Sequence, residues 1–383
     1  MEKIFVFNTL YYPNKKGGAE SSVQLVCEEL VKQGVDVNVV SVWDKSSPLH
    51  EVVNGVQSFK WKPYNVYSVH DYSAIETSSI SKIIWQIIDL FNFVMFFKAL
   101  FLFIKQKPDI VWTNNLSGFS VSIWVAAFLL NVPVCHTARD YYLLSNNVQL
   151  YKDDKLIPGH NIISKIKVAI FRFLSSRLSA FVGISDFVVS YHSKYSRVKT
   201  KRRIYNSVSL EYNDRVLYEK DKNKARVYGY LGQINKAKGI DTLTRNFISN
   251  SKSSLLNIAG NDVEGYAKKI TDSRINFVGF RSPIEFFTEI DCLIVPSEWD
   301  EPFGRIVVES LANMTPVICS NQGGLSELSQ MFKSVTLCDF KDEINYDSFK
   351  VDFSMNDLST LYSKFSNESI ASQYKKLFME TIA

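Results

Sequence analysis

The N-terminal part of the chain alternates between the apolar patterns of buried strands and of a helix. Residues 3–10 form an apolar run that predicts a buried parallel strand, and residues 35–42 predict a second one. Between them, residues 19–32 carry apolar side chains at helical spacing, and Gly34 follows as a stop signal. A strand, a glycine loop, a helix and a second strand in this order indicate a doubly wound α/β domain.

Strand-like and helical runs continue to alternate along the rest of the chain. Residues 109–113 and 133–137 are strand-like and flank a helical stretch at 121–130. A second series of strand-like runs lies at 226–231, 255–259, 275–280, 292–296, 316–319 and 335–338. Residues 195–224, between the two series, are polar and basic, which is typical of a boundary between domains.

We therefore predict an α/β fold with two Rossmann-like domains, residues 1–195 and residues 196–365. A length of 383 residues fits two to three domains, at about 150 residues each. Two such domains in tandem would face each other across a cleft, which is the usual place for a ligand.

Composition excludes several classes of protein. The chain has 46% hydrophobic and 22% charged residues, which is the balance of a globular protein. A net charge of +5 is too small over this length to indicate a nucleic-acid-binding protein. The five cysteines lack metal-ligand spacing, so we expect neither a zinc site nor disulfide bonds. The first residues lack the pattern of a signal peptide, and we expect a cytoplasmic protein.

An apolar and aromatic run at residues 83–104 has three interpretations: a transmembrane helix, a buried core helix, or a core helix with one face on a membrane. Its length suffices for a span, since about 20 apolar residues cross a bilayer. Asp89 and Lys98 lie within it, and a charge in mid-membrane costs about 3 kcal/mol or more, which disfavours the span. Basic residues within 165–177 favour contact with an anionic membrane surface. Alternatively, both helices pack on the sheet.

The segment with the most chemical information is residues 296–312, PSEWDEPFGRIVVESLA. It predicts the end of a strand, a loop carrying Glu301, and a helix that begins near Phe303 or Gly304. The free N–H groups at that helix start suit an anionic diphosphate. Glu301 and Glu309 would address different parts of one extended ligand, such as sugar and ribose hydroxyl groups. The alternative is an acidic residue that favours the helix dipole and a solvated helix glutamate.

Several segments, in this order along the chain, resemble the retaining glycosyltransferases of family 4, which have the GT-B fold. They are PNKKGGAE at 13–20, GYLGQINKAKG at 229–239, residues 277–279, residues 296–312, and PVICSNQGGLSE at 316–327. The resemblance covers nearly the whole chain. It also implies a C-terminal helix, residues 366–383, that crosses back and packs on the first domain.

For the first domain, the resemblance implies that Gly17 and Gly18 form a loop beside the transferred sugar and the acceptor. Gly18, Glu20 just inside the following helix, and Arg139 would contact the acceptor. Family members often carry a Thr-x-His pattern near the reacting sugar, but the matching position here is Arg139. We interpret Arg139 and Asp140 as residues of the cleft that act in catalysis. His136 lies three residues earlier, where a strand would turn its side chain to the opposite face. It is therefore either packed or functional.

For the second domain, the resemblance implies that Lys238 contacts the donor diphosphate. The usual arginine before it is replaced by Gln233, so either Lys236 compensates or the phosphate is held more weakly. The other implied donor contacts are Glu301 with the amides of Phe303 and Gly304 for the sugar, Glu309 for the ribose, the glycine pair Gly323 and Gly324, and Phe280, with Gly279 and Arg281, for the base.

The implied activity is transfer of a hexose from a UDP or GDP sugar to a hydroxyl group of a saccharide, with retention of anomeric configuration. In the family, the departing phosphate oxygen is thought to accept the acceptor's proton, so no dedicated nucleophile is expected. The chain has no Asp-x-Asp motif, and we expect neither a metal nor another cofactor. The aromatic run and its basic neighbour favour a lipid-diphosphate-linked acceptor at the inner face of the membrane, as in capsule or O-antigen synthesis.

Two alternatives remain open. The first is a catalytically degenerate GT-B protein that binds an active transferase. Gln233 and Arg139 keep this interpretation open, whereas Lys238, Glu301 and Glu309 argue against it. The second is a nucleotide-sugar epimerase, which would release its product without a second sugar acceptor.

Overall fold

The chain folds into two compact units. One comprises Met1–Ser207 and Asn367–Ala383, and the other comprises Val208–Ser366. The computed structural model describes residues 3–14, 17–71, 78–145, 151–152, 155–156, 161–210, 226–349 and 352–382. Residues 15–16 of the predicted glycine loop and 211–224 of the predicted boundary zone lie outside this part.

The strands of the first unit are β1 (Lys3–Phe7), β2 (Asp36–Val42), β3 (His50–Val53), β4 (Val56–Trp61), β5 (Ile110–Thr113), β6 (Val134–Ala138), β7 (Tyr151–Lys152), β8 (Lys155–Leu156), β9 (Ala180–Gly183) and β10 (Lys201–Arg203). Its helices before the second unit are α1 (Gly18–Lys32), α2 (Ser79–Leu90), α3 (Phe93–Gln106), α4 (Ser122–Leu129), α5 (Ile162–Leu174) and α6 (Asp186–Ser193).

The strands of the second unit are β11 (Val227–Leu231), β12 (Leu255–Ala259), β13 (Ile275–Gly279), β14 (Cys292–Val295), β15 (Val317–Cys319) and β16 (Val335–Leu337). Its helices are α7 (Ile240–Asn250), α8 (Tyr266–Lys269), α9 (Pro283–Glu289), α10 (Arg305–Ala312), α11 (Leu325–Met331) and α12 (Asn356–Phe365). The last helix, α13 (Asn367–Ile382), belongs to the first unit.

The division between the units lies further along the chain than the predicted boundary after residue 195. β10 pairs in parallel with β9, which places residues 201–203 in the sheet of the first unit. The N–H of Ser207 donates a hydrogen bond of 2.9 Å to the Ser22 hydroxyl of α1. These contacts attach residues 196–207 to the first unit. α13 packs against α1 within that same unit.

The described residues of the first unit form an eight-stranded sheet in the order β10-β9-β6-β5-β1-β2-β4-β3. Its neighbouring strands are parallel, except β3 and β4. The rings of Phe5 and Phe7 in β1 contact Phe103 of α3, whereas Trp112 of β5 contacts Tyr374 of α13. Phe7 pairs with Thr113, so the side chain of Phe7 and that of Trp112, one residue earlier in β5, point to opposite faces of the sheet. Hence α3 covers one face and α13 the other. Burial on both faces explains the apolar strands.

The aromatic run at 83–104 is two helices, not the single helix predicted from the sequence. Phe91 has an extended backbone, with φ of −153°, and this ends α2. The Asn92 side chain then caps α3 by accepting a hydrogen bond of 3.1 Å from the N–H of Met95. The N–H of Asn92 donates to the Ser120 hydroxyl at 2.8 Å, which fixes the break to the loop after β5.

Exposed apolar side chains on α2, α3 and α5 form what we call the apolar face. They are Ile80, Ile83, Ile84, Ile87, Phe93, Val94, Phe97, Phe101, Ile104, Ile162, Ile166 and Phe173. The stretch Ser79–Gln106 is long and apolar enough to cross a membrane. Its break, however, leaves helices of 12 and 14 residues, about 18 and 21 Å long, against about 30 Å of hydrocarbon. This geometry favours helices that lie along a surface.

A buried polar cluster lies beneath the apolar face. Asp89 of α2 accepts hydrogen bonds from the N–H of Gly118 and the hydroxyl of Tyr142, both at 2.7 Å. The Lys167 ammonium of α5 lies 3.4 Å from the same carboxylate and 3.4 Å from the centroid of the Tyr142 ring. Burial raises the pKa of Asp89 and lowers the pKa of Lys167, and the ion pair opposes both shifts. The cluster joins α2 and α5 to the loops after β5 and β6.

The second unit has a six-stranded parallel sheet in the order β13-β12-β11-β14-β15-β16. All six strand-like runs predicted for this region are strands, and apolar residues of five of them, β11 to β15, lie in its core. The strand order reverses between β11 and β14, which lie side by side at the centre. In parallel α/β sheets, ligands bind outside the carboxyl ends of the strands at such a switch point.

Replacing Asp89 with Ala leaves the buried Lys167 ammonium without its carboxylate. We expect the free energy of unfolding of the first unit to fall by about 3–5 kcal/mol. Urea unfolding followed by tryptophan fluorescence measures this unit, because five of the six tryptophans lie in it. The exposed pair of Lys45 and Asp71 provides the control: Asp71→Ala should cost less than about 1 kcal/mol. Equal losses for the two variants would contradict the importance of the buried pair.

Candidate active site

The carboxylate of Glu301 lies in the loop between β14 and α10. Its Oε1 accepts three hydrogen bonds, from the Lys238 ammonium at 2.6 Å, the Ser297 hydroxyl at 2.7 Å and the Trp299 indole N–H at 3.0 Å. Within the described part of the chain, Oε2 has no hydrogen-bond partner. Because the side chain is nearly buried, these donors offset the cost of removing a charge from water. Two residues predicted to contact the donor therefore meet directly.

Lys238 reaches this carboxylate because its turn sits directly on the loop after β14. The 3-10 turn Lys236–Lys238 is capped by Asn235, whose side chain accepts from the N–H of Lys238 at 3.0 Å. The carbonyl of Ala237, within the turn, accepts hydrogen bonds from the N–H groups of Glu298 at 3.0 Å and Trp299 at 3.3 Å. Gly239 follows with φ of +77°, and a Cβ there would lie 1.8 Å from the carbonyl oxygen of Pro296. Only glycine permits this approach.

The glycine pair Gly323 and Gly324 holds the Glu301 loop from the other side. The N–H of Gly324 donates to the carbonyl of Glu301 at 2.7 Å. Gly323 has φ of +55°, and a Cβ there would lie 2.3 Å from that same carbonyl oxygen. The pair therefore shapes the candidate donor site by letting two backbone segments touch.

The start of α10 carries a second ion pair. The Arg305 guanidinium donates from Nε to the Glu309 carboxylate at 2.6 Å, at an i,i+4 spacing. Gly304 precedes the helix with φ of +90°. The ring of Phe303 is buried against Phe365, with 5.8 Å between centroids. The ring of Phe303 therefore does not face a ligand, and only its backbone amide could make the predicted contact with the sugar.

The remaining predicted donor residues are exposed. Gln233 and Lys236 lie at the surface after β11, and the N–H of Lys236 donates to the Glu264 carboxylate at 3.2 Å. Phe280 is 86% exposed and follows Gly279 at the end of β13. A large aromatic ring in water at the carboxyl end of a strand is free to stack on a planar ligand. The predicted roles of these residues remain predictions.

The glycine loop of the first unit opens onto α1. The N–H of Gly17 donates to the Glu20 carboxylate at 2.9 Å, which is half of a capping box. Glu20 thus has a structural role at this helix start, besides the predicted contact with the acceptor. Gly18 is the first residue of the helix.

Arg139 is buried and engaged by three side chains of the first unit. Its guanidinium donates to the Asn114 amide oxygen at 2.9 Å, to the Ser22 hydroxyl at 3.2 Å and to the Asn206 amide oxygen. These contacts connect the loop after β5, α1 and the segment that follows β10. Arg139 therefore holds these three segments together by hydrogen bonds. The catalytic role inferred from the sequence remains a prediction.

His136 lies on the other face of β6, as its odd offset from Arg139 predicts. It is buried, its Nδ1 lies 2.9 Å from the Thr113 hydroxyl, and its ring contacts Trp124 and Phe181. Burial lowers its pKa well below the usual value, so the imidazole is neutral. Of the two interpretations of His136, the structure supports the packed residue.

Asp140 follows Arg139 and is half-buried. Its carboxylate accepts from the N–H of Tyr142 at 2.8 Å and from the Asn115 amide at 2.7 Å. Burial raises its pKa to about 6, and the charge of Glu20 adds to the rise, while the Tyr142 hydrogen bond and the charge of Lys167 oppose it. The group therefore changes its charge close to neutral pH.

Sequence reasoning missed several side chains that hold the candidate residues. They are Ser22, Asn114, Asn115, Ser297, Trp299 and Arg305. For Arg305 a signal exists, since it stands four residues before Glu309. Among the residues that the structure describes, no three His, Cys, Asp or Glu side chains cluster as a metal site requires. The expected independence from metals remains a prediction.

Two protein-family models match the chain. The model described as Glycosyltransferase Family 4 matches residues 16–212, and the model of glycosyl transferases group 1 matches residues 217–349. The first model thus matches more than half of the chain. The resemblance found in the motifs is confirmed.

Relatives and solved structures agree with these matches. A protein of Klebsiella pneumoniae named as an uncharacterized 42.6 kDa protein in the cps region is 30% identical over 98% of this chain and 99% of its own length. Sucrose-phosphate synthase from Thermosynechococcus elongatus has a TM-score of 0.73 and 17% identity, over 99% of both chains. HepE from Anabaena in complex with UDP has a TM-score of 0.70 and 15% identity, over 99% of this chain and 100% of that one. These structures confirm the predicted GT-B fold.

The raised pKa of Asp140 predicts a stability that depends on pH. Between the usual aspartate value of about 3.9 and about 6, the native state keeps a proton that the unfolded state releases. Ionisation of Asp140 in the native state therefore costs stability as the pH rises. Asp140→Asn removes this titration, so its unfolding free energy should rise relative to wild type between about pH 4 and pH 7, by at most about 3 kcal/mol. A difference that does not vary with pH would refute the shift.

Proposed function

Because the chain belongs to family 4 of the glycosyltransferases, we propose that it transfers a hexose from a nucleotide-diphosphate sugar to a hydroxyl group of a saccharide, with retention of configuration. The observation that carries this proposal is the meeting of Lys238 and Glu301 at the switch point of the second sheet. A cation for a diphosphate and a carboxylate for sugar hydroxyl groups are the two charges that such a donor requires.

In the proposed reaction, the bond between the anomeric carbon and the donor phosphate oxygen breaks. A bond from that carbon to the acceptor's hydroxyl oxygen forms on the same face, and the departing phosphate oxygen takes the hydroxyl proton. Lys238 stabilises the negative charge that develops on the diphosphate. A diphosphate competes for this ammonium with Glu301, whose Oε2 is available to a sugar hydroxyl.

The rest of the donor fits the surroundings of this pair. The N-terminal amides of α10, with the Arg305 guanidinium, suit the diphosphate, and Glu309 suits ribose hydroxyl groups. The exposed ring of Phe280 suits the base. The structural neighbour from Anabaena contains UDP, so UDP sugars are the first donors to test, followed by GDP sugars. We propose that no metal takes part.

The proposed acceptor is a saccharide, linked to a lipid diphosphate, in the synthesis of a bacterial surface polysaccharide. The Klebsiella relative lies in a cps region, which supports capsule synthesis. In this proposal the reaction takes place in the cytoplasm, at the inner face of the membrane.

The apolar face supports a peripheral contact between the first unit and an anionic membrane. Around it, the exposed charged residues of α2, α3 and α5 are all basic: Lys82, Lys105, Lys165 and Arg172. The only acidic residue in these three helices is the buried Asp89. An apolar surface bordered by cations is the pattern of helices that lie in the interface of an anionic bilayer.

The degenerate binding protein remains the second candidate, and two observations favour it. Gln233 lacks the charge of the family's arginine, and the Arg139 guanidinium is bound to Ser22, Asn114 and Asn206. Such a protein would bind a donor without turnover. An epimerase would convert the donor sugar without an acceptor, and the same assays identify it.

A panel of UDP and GDP sugars tests the donor site by binding and by turnover. Lys238→Ala should weaken binding of the nucleoside diphosphate by about tenfold or more, because a charge-assisted contact is lost. Glu301→Ala should leave that binding within about threefold, because Lys238 is freed, but lower turnover about a hundredfold. Lys252→Ala, at an exposed lysine of the same unit, is the control and should match wild type.

If wild type binds none of these donors, the transferase proposal is wrong. Suppose instead that wild type binds a donor but shows no turnover with any acceptor preparation tested, including a membrane extract that contains lipid-linked saccharides. The degenerate protein is then favoured.

Flotation with vesicles tests the membrane contact. Wild type should float with vesicles that contain anionic phosphatidylglycerol, less at high salt, and not with neutral vesicles. Replacing both Phe97 and Phe101 with Ser should weaken binding about tenfold or more, because two exposed rings no longer enter the interface. Ile248→Ser, at an exposed apolar residue of the second unit, is the control. Equal flotation of both variants would contradict a contact through the apolar face.

A further inference from the structure

Trp299 contacts both members of the Lys238–Glu301 pair, each through a different part of its side chain. Its indole N–H donates to Glu301 Oε1 at 3.0 Å. The face of its ring lies 4.9 Å, at the centroid, from the Lys238 ammonium. Trp299 is itself buried, so the surrounding protein holds its side chain in place in both contacts.

The backbone around Trp299 is held at several points. Its N–H donates to the carbonyl of Ala237 at 3.3 Å, in the same turn that carries Lys238. The neighbouring Ser297 donates its hydroxyl to Glu301, and its carbonyl accepts from the Ser320 hydroxyl at 2.6 Å. The indole ring therefore has a fixed position relative to both charged groups.

This arrangement separates the three donors of Glu301 into two kinds. Ser297 and Trp299 are neutral and lie on the Glu301 loop itself, whereas Lys238 is charged and lies at the end of a long side chain. When an anion draws Lys238 away, the carboxylate keeps two hydrogen bonds and hence its orientation. The ring face meanwhile offers the ammonium a favourable position beside the carboxylate.

We propose that Trp299 is a positioning residue: it keeps Glu301 oriented for the sugar while Lys238 moves to the diphosphate. The proposal rests on the proposed function, since it assigns Lys238 and Glu301 to the two parts of the donor. It adds a residue that touches neither the diphosphate nor the acceptor in the proposed reaction and acts through the two that do.

The variants that test it are Trp299→Phe, which keeps a ring but loses the N–H, and Trp299→Leu, which loses both. Trp299→Phe should lower kcat about tenfold and leave the Kd for UDP within about twofold. Trp299→Leu should lower kcat at least as much and also change the Kd for UDP, because Lys238 loses its position over the ring. Trp43→Phe is the control, since Trp43 also donates its N–H, to the Ser47 carbonyl, but lies in the other unit.

A double-mutant cycle separates positioning from a general structural effect. If Trp299 acts through Glu301, Trp299→Phe should have almost no further effect on kcat in a Glu301→Ala background, which has no side-chain oxygen to accept the indole N–H. Fully multiplicative losses in the double variant would overturn the proposal. So would a kcat for Trp299→Phe that equals wild type.

Fluorescence provides a readout that does not need turnover. Trp299 is the only tryptophan of the residues 208–366, so subtracting the spectrum of Trp299→Phe isolates its emission. Lys238→Met should change that emission in the absence of ligand, because the ammonium leaves the ring. UDP should change it in wild type but not in Lys238→Met. An emission of Trp299 that is insensitive to both would overturn the proposal.

If the emission responds to Lys238→Met but wild type shows neither donor binding nor turnover, the coupling of Trp299 to Lys238 stands and the proposed function fails. The two failures are therefore distinguishable.

Discussion

A nearly buried glutamate and a lysine from another loop meet in the second unit, and the meeting depends on how closely two backbone segments approach. The 3-10 turn after β11 rests on the loop after β14, at a separation that excludes a Cβ on Gly239. On the other side, Gly323 approaches the backbone of Glu301 so closely that a Cβ is excluded there too. Because both contacts are between backbones, the position of the loop that carries Glu301 does not depend on flexible side chains. The hydrogen bonds to its carboxylate then orient a side chain whose backbone is already in place.

The first unit uses adjacent strands in a similar way. Asn114 and Asn115 directly follow β5, and they bind Arg139 and Asp140, which directly follow the neighbouring β6. The side chains that end two adjacent parallel strands meet at one edge of the sheet, so this pairing follows from the topology. It also explains why Arg139 is buried: an arginine at this position satisfies three polar side chains that a histidine, with two ring nitrogens, would satisfy less completely.

The parts of this structure that could be predicted from the sequence are those encoded by neighbours in the chain. The strands of the second unit follow from short apolar runs, and the Glu301 segment follows from its order of strand, loop and helix. The break at Asn92 also had a local signal, a capping residue inside an apolar run, but the aromatic residues around it dominated the pattern. The burial of Arg139 could not be predicted in this way, because its partner Asn206 is distant in the chain and is brought near only by folding.

The hydrogen bonds of the polar groups between α2 and α3 explain why this strongly apolar segment lies on the surface of the first unit. On the inner side of the break between α2 and α3, Asp89 binds Gly118 and Lys167, and Asn92 binds Ser120. A spanning helix would have to withdraw these polar groups from their partners and leave Lys167 buried without its carboxylate, at a cost of several kcal/mol. Lying along an interface requires none of this, since only the outward apolar side chains leave the water. The same hydrogen bonds that end α2 and begin α3 therefore favour peripheral contact over insertion.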